Sequence, residues 1–372
     1  TKNIRERQWG MKRKITEISV FEFFLCMFVI LIHLLSEGVD TFPKWSFLSV
    51  LFYSLTRLMT FAVPAFIFTS SVKLFYKYGG AAHFPYPRFL WGRIRKICFP
   101  YFLAIVIYYL VFVYVMHLYE FNFDQLLHFL ITGDISAQFY FIVLIIQFYL
   151  LMPVWIYISR VKSKLFSALM LLLALAITVF FRMYYPYTAV IHKIFPSYFV
   201  FWISGMYVGL HYEAFEKMIV QNKPVIYIAW LVLAVAHCVL SYMQFGGLIA
   251  YKLSPLIVVL FCFFSSFGFY SYARELTISL ESRGKGLLTS ISQASYDIYL
   301  IHCLIILVMN WLLTKMEIDN ILQRFAITAI VTYFLSIVFC VLQATIYANI
   351  RSKYLRASAT RARKMARRKR YL

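Results

Sequence analysis

Charge is what this sequence has little of. Only 14% of its 372 residues are Asp, Glu, Lys or Arg, against roughly 25% in a soluble domain. Just 15 of them are acidic, and 62% of the chain is hydrophobic. So little polar surface excludes an ordinary soluble fold and leaves a multi-spanning membrane protein. The six cysteines, Cys26, Cys98, Cys238, Cys262, Cys303 and Cys340, are scattered through apolar runs with no CxxC pair. That pattern argues against a disulfide framework and against a metal site, so they read as packing residues. Asn-x-Ser/Thr sites, Walker loops, HExxH and GxSxG are all missing. No repeat of fixed period is found, and neither half mirrors the other as in an inverted-repeat transporter.

What is there is a series of long apolar stretches, at about 17–37, 47–72, 97–117, 138–158, 165–183, 197–211, 223–243, 253–271, 290–313 and 322–349. They predict an all-α bundle of about ten transmembrane helices; the sixth is short and is interrupted by Gly205 and Gly209. Placing alternate connections on one side gathers 30 of the 37 Lys and Arg there, so the positive-inside rule puts both termini in the cytoplasm of a multi-pass cell-membrane protein. Residues 1–14 then form a basic N-terminus, 15–350 the membrane domain and 351–372 a polybasic tail. Met11 opens MKRKITEIS, a plausible start that would make Thr1 to Gly10 a short basic extension. No small-residue cleavage site follows the first helix, which reads as a retained span. The net charge of +22 follows from orientation and implies no nucleic acid. The tail reads as an anchor on anionic lipid, worth about 1 kcal/mol per basic residue near the surface; RNA binding or partner docking is the alternative.

Ionisable groups inside spans are costly and mark candidate sites. Glu22 and His33 lie eleven residues apart in the first stretch, which is three helical turns plus about 20°, so they share a face roughly 16 Å apart. The bland alternative puts Glu22 at headgroup level and His33 at the outer end. Arg57 sits inside the second stretch, ahead of Pro64, and is a candidate ligand residue or a cation snorkelling to the outer headgroups. Arg88, Arg93 and Arg95, with Lys96, cluster before the third stretch; guanidinium groups there suit phosphate binding or serve topology alone. In the ninth, Ser295, Tyr299 and His302 are spaced four and three apart and share a face, fit for proton transfer or substrate binding. Arg182 and His192 flank a tyrosine-rich connection that reads as an interfacial aromatic belt.

Four stretches in order carry a resemblance: the first helix ending in His33, VPAFIFTSS, RFLWGRIRKICFP and ISQASYDIYLIH. Over about residues 12 to 350 the chain resembles the acyltransferase-3 family of ten-helix membrane acyltransferases, which modify surface polysaccharides, lipids and peptidoglycan. The resemblance implies transfer of an acetyl or succinyl group from acyl-coenzyme A to a hydroxyl of a surface polysaccharide such as poly-N-acetylglucosamine, without a metal. It implies His33 as general base or transient acyl carrier near the outer side; with it, Glu22 would set the charge of the inner half and His302, with Tyr299, would line the path. Arg88, Arg93 and Arg95 would hold the donor, and Arg57, Ser295 and Tyr299 the substrate; a polysaccharide synthase is a possible partner. The family's first helix usually has Arg eleven residues before the His, where this chain has Glu22, so gripping the donor would fall to Arg93 or Arg95. The alternative is a polysaccharide exporter without acyl transfer; a small-solute transporter lacks an obvious coupling-ion carboxylate pair.

Overall fold

A computed structural model describes residues 16–81, 83–184, 189–249, 254–281 and 286–339, with 342, 345 and 346. The basic N-terminus, Cys340 and the polybasic tail lie outside the described residues. Among the described residues the regular structure is helical and there is no strand. The chain runs α1 (Thr16–Thr41), α2 (Phe47–Met59), α3 (Ala62–Tyr78), α4 (Tyr86–Arg93), a π-helical turn (Ile94–Cys98) and α5 (Phe99–Tyr114). Then come α6 (Phe123–Thr132), a 3-10 turn (Ala137–Phe139), α7 (Tyr140–Leu150), α8 (Met152–Ile158) and α9 (Lys164–Tyr184). Two 3-10 turns (Ala189–Lys193 and Phe195–Tyr198) lead into α10 (Phe199–Leu210), α11 (Tyr212–Gln221), α12 (Lys223–Phe245), α13 (Ser254–Glu281) and α14 (Gly286–Lys315). A last helix, α15, covers Ile321–Phe339.

Eight of the described helical segments are long and apolar enough to cross a membrane, and a ninth is if α6 and the segment Ala137–Leu150, bent by 50°, form one span. The protein is a multi-pass membrane protein. The expected stretch 197–211 is helical but short, Phe195–Leu210, and its glycines do not interrupt it. A Cβ on Gly205 would fall 2.4 Å from the Phe68 carbonyl oxygen, and one on Gly209 2.6 Å from that of Val72. The two glycines, four apart, therefore let α10 lie backbone to backbone on α3, the close approach that small residues permit in membranes.

Prolines set where the spans break. Pro64 has no N–H for the Thr60 carbonyl, and the second span divides at Thr60 and Phe61, between α2 and α3. The expected stretch 138–158 is likewise split at Leu151, next to Pro153. α15 is tied to α1 by Arg324, whose Nε donates to Glu37 at 2.8 Å while its other nitrogens bond the Asn310 and Ile318 carbonyls.

Candidate functional site

The site begins on α14. The Tyr108 hydroxyl, brought by α5, donates to the Leu300 carbonyl at 2.9 Å and accepts from the Leu304 amide at 2.7 Å. In an unbroken helix those two groups bond each other, so a side chain is inserted into the ladder beside His302 and Cys303. Gln138 Nε2 donates to the same hydroxyl at 2.8 Å, and the Tyr299 hydroxyl donates to the Gln138 carbonyl. Tyr108 and Gln138, the latter through Tyr299, thus tie this part of α14 to two other elements, α5 and the 3-10 turn.

His302 is fully buried. Its Nδ1 lies 3.2 Å from the Ile298 carbonyl and its Nε2 3.2 Å from Cys303 Sγ. A carbonyl only accepts, so Nδ1 carries the hydrogen, and Nε2 takes the thiol proton as acceptor. The ring of His33, from α1, packs on that of His302 with centroids 5.4 Å apart. No hydrogen bond from the His33 ring is present among the described residues. One imidazole is therefore committed on both nitrogens and the other is free for chemistry. Ligand atoms of His33, His302 and Cys303 lie within 4.8 Å of one another, close enough to surround a cation. The thiol–imidazole hydrogen bond already satisfies two of the three.

Two cavities approach this pair. The first, about 220 Å³, is lined by Glu22, Lys73, Tyr149, Ser295, Tyr296 and Tyr299, among others. The second, about 500 Å³, is lined by Arg57, Arg182, His192, Ser197, His237 and Gln244, among others. The same helices line both: Phe141 and Phe66 line the first, whereas the neighbouring Tyr140 and Pro64 line the second. The Tyr299 ring, on the first cavity, lies 5.8 Å from that of His302. Ile32, which precedes His33, lines the second.

In the first cavity, Lys73 from α3 approaches a carboxylate oxygen of Glu22 at 2.5 Å, and Thr69 Oγ1 donates to Glu22 at 3.1 Å. Lys73 and Thr69 are one turn apart on α3, so both reach α1 together. Glu22 is paired with a lysine from another helix, not with an arginine. Of the three arginines of the basic loop, Arg93 packs over the rings of Phe89 and Tyr149, 5.0 Å from each centroid. Arg93 therefore touches the first cavity's wall through Tyr149 without lining the cavity itself. Arg88 and Arg95 are exposed and line neither cavity.

In the second cavity, Arg57 lies over the Tyr53 ring, 4.7 Å from its centroid, and its buried Nε has no hydrogen-bond partner. Arg182 donates from Nε to the Ser197 carbonyl at 3.0 Å and packs over Tyr198. His237 is held by Thr60 at 3.4 Å and Ser241 at 3.2 Å. The structure thus brings Glu22, Ser295 and Tyr299 to one cavity and Arg57 to the other, while the rings of His33 and His302 pack on each other and line neither. The tyrosine-rich connection is more than a belt, since Ile191, His192, Ser197 and Tyr198 wall the second cavity. Lys73, Tyr108, Gln138 and Cys303 were not singled out by sequence reasoning; only the unusual polarity of Lys73 and Gln138 beside apolar runs signals them.

No curated protein and no solved structure matches this chain. Residues 15–346 match Acyl_transf_3, an acyltransferase domain. That match spans nearly the whole helical bundle, including both histidines and both cavities, and the chain belongs to the acyltransferase-3 family of membrane acyltransferases.

Proposed function

We propose that this protein is a cell-membrane O-acyltransferase that moves an acetyl or succinyl group from cytoplasmic acyl-coenzyme A to a hydroxyl of a surface polysaccharide. The observation that carries the reading is the free imidazole of His33, packed against an imidazole that is committed on both nitrogens. By the distribution of basic residues, the Glu22 cavity faces the cytoplasm and the Arg57 cavity the outside. Arg93, against the cavity's wall, meets the donor's phosphates, with Arg88 and Arg95 as exposed cations nearby. Lys73, balanced by Glu22, supplies a further cation inside the cavity, and Ser295 and Tyr299 line the way for the acyl-thioester arm.

His33 acts as general base. The acceptor hydroxyl gives its proton to the imidazole as its oxygen attacks the thioester carbonyl. The tetrahedral intermediate collapses by breaking the carbon–sulfur bond, and the departing thiolate takes the proton from His33. Products are the acyl ester and the free thiol of coenzyme A, with atoms and charge balanced. A neutral imidazole with no hydrogen bond of its own can take the hydroxyl proton and hand it on to the thiolate, which covers both halves of that transfer. His302 positions His33 by ring packing and carries no proton of the reaction.

The motifs resemble those of IcaC, the membrane protein of the intercellular-adhesin operon, and on that resemblance the proposed acceptor is poly-N-acetylglucosamine and the proposed partner its synthase. Mass spectrometry of surface polysaccharide from cells with the intact gene, without it and with His33→Ala tests the assignment. Loss of an acetyl or succinyl increment, with polymer still exported, supports it and names the group. Polymer retained inside with acylation unchanged assigns the protein to export instead.

A further inference from the structure

The second cavity has a chemistry of its own. Its wall carries two guanidinium groups, Arg57 from α2 and Arg182 from α9, and no carboxylate. Neither arginine forms a salt bridge among the described residues. Arg57 leaves a buried Nε unpartnered, and Ser197 Oγ is also buried without a partner. An unpaired charge within a span is expensive, and such groups persist where a counter-charge or a water-filled path compensates them. Elsewhere the chain does supply counter-charges: Lys73 has Glu22, Lys193 has Asp134 and Arg324 has Glu37. At about 500 Å³ the space falls within the usual range of roughly 300–1,000 Å³ for small-molecule sites.

We infer that this cavity binds an anion, a carboxylate or phosphate carried by one of the two substrates, gripped by Arg57 and Arg182 with Ser197 as a hydrogen-bond donor. Guanidinium groups match the planar, two-oxygen geometry of such an anion. Tyr53 and Tyr198, stacked on the two guanidiniums, hold them in place before the ligand arrives. The identity of the substrate to which the anion belongs rests on the acyl-transfer reading; the anion chemistry does not. Two sources share it: the distal carboxylate of a dicarboxylic acyl group such as succinyl, or an acidic group on the acceptor polymer. The neutral sugar of poly-N-acetylglucosamine satisfies neither arginine, so on that acceptor the anion comes with the acyl group.

The test is calorimetric binding to the purified full-length protein in lipid nanodiscs, using succinate, glucuronate, glycerol 3-phosphate and neutral N-acetylglucosamine as probes. Saturable binding of at least one anion, absent for the neutral sugar and weakened at least tenfold in both Arg57→Gln and Arg182→Gln, is expected. Retention of binding in Arg57→Lys relative to Arg57→Gln separates charge from folding, as do matched unfolding temperatures. Preference for succinate assigns the anion to the acyl group, and preference for glucuronate or the phosphate assigns it to the acceptor. Absence of anion binding, or equal binding by wild type and both Gln variants, overturns the inference. Because the probes are free anions, that outcome is independent of whether any acyl group is transferred, which a separate assay of thiol release from acyl-coenzyme A reads.

Discussion

His33 and His302 are chemically the same residue and are set to different tasks by their neighbours. Both nitrogens of His302 are occupied by hydrogen bonds, whereas the His33 ring has none among the described residues. His33→Ala is therefore expected to abolish acyl transfer with the protein still inserted, while Cys303→Ala, which removes only the thiol donor to His302, retains at least about a tenth of the rate, the loss of one hydrogen bond being worth roughly 1 kcal/mol. Rates on membranes with matched protein content check both. Glu22 and Lys73 pair across a rim where the lysine is half-exposed, so a double-mutant cycle with Glu22→Gln and Lys73→Met should give a coupling of no more than about 1 kcal/mol in stability. Helical spacing was enough to predict that Ser295, Tyr299 and His302 share a face, because that relation is local. The partners Lys73, Tyr108 and Gln138 come from distant segments, and no local spacing reports such contacts.

At the scale of the element, apolar length located the helices but not their breaks, which fall beside prolines, at Thr60 and Phe61 one turn before Pro64 and at Leu151 before Pro153. Gly205 and Gly209 were misleading, since in a soluble helix glycine weakens the element, whereas here each admits a neighbouring backbone carbonyl. Gly205→Val should lower stability by about 1–3 kcal/mol through overpacking against the Phe68 carbonyl, read as earlier thermal unfolding in detergent. The Tyr108 hydroxyl holds open the α14 ladder beside the histidines. Tyr108→Phe leaves the Leu300 carbonyl and Leu304 amide to re-pair, and is expected to cut transfer at least tenfold while the protein remains folded. Hydrogen exchange at the Leu304 amide reports the re-pairing.

For the whole molecule, the proposed transfer requires the two cavities to open to opposite sides of the membrane. The loops that bear Arg88, Arg93 and Arg95 belong with the Glu22 cavity, and the connection through His192 belongs with the Arg57 cavity. Single-cysteine variants in a background without the native cysteines test the orientation. Glu317→Cys is expected to react with an impermeant maleimide on intact cells, and Ser358→Cys in the basic tail only after permeabilisation. The class, the approximate span count and the family motifs were legible in the sequence because composition and length carry them. The separation into two chemically distinct cavities was not, since it depends on which residues of distant segments come together around each space.

The most direct measurement of the central claim is isotope transfer in proteoliposomes that hold labelled acyl-coenzyme A inside and polysaccharide acceptor outside. The account predicts label on the external polymer and stoichiometric release of free thiol in the lumen, both lost in His33→Ala. Label reaching the polymer at the wild-type rate in that variant would contradict it.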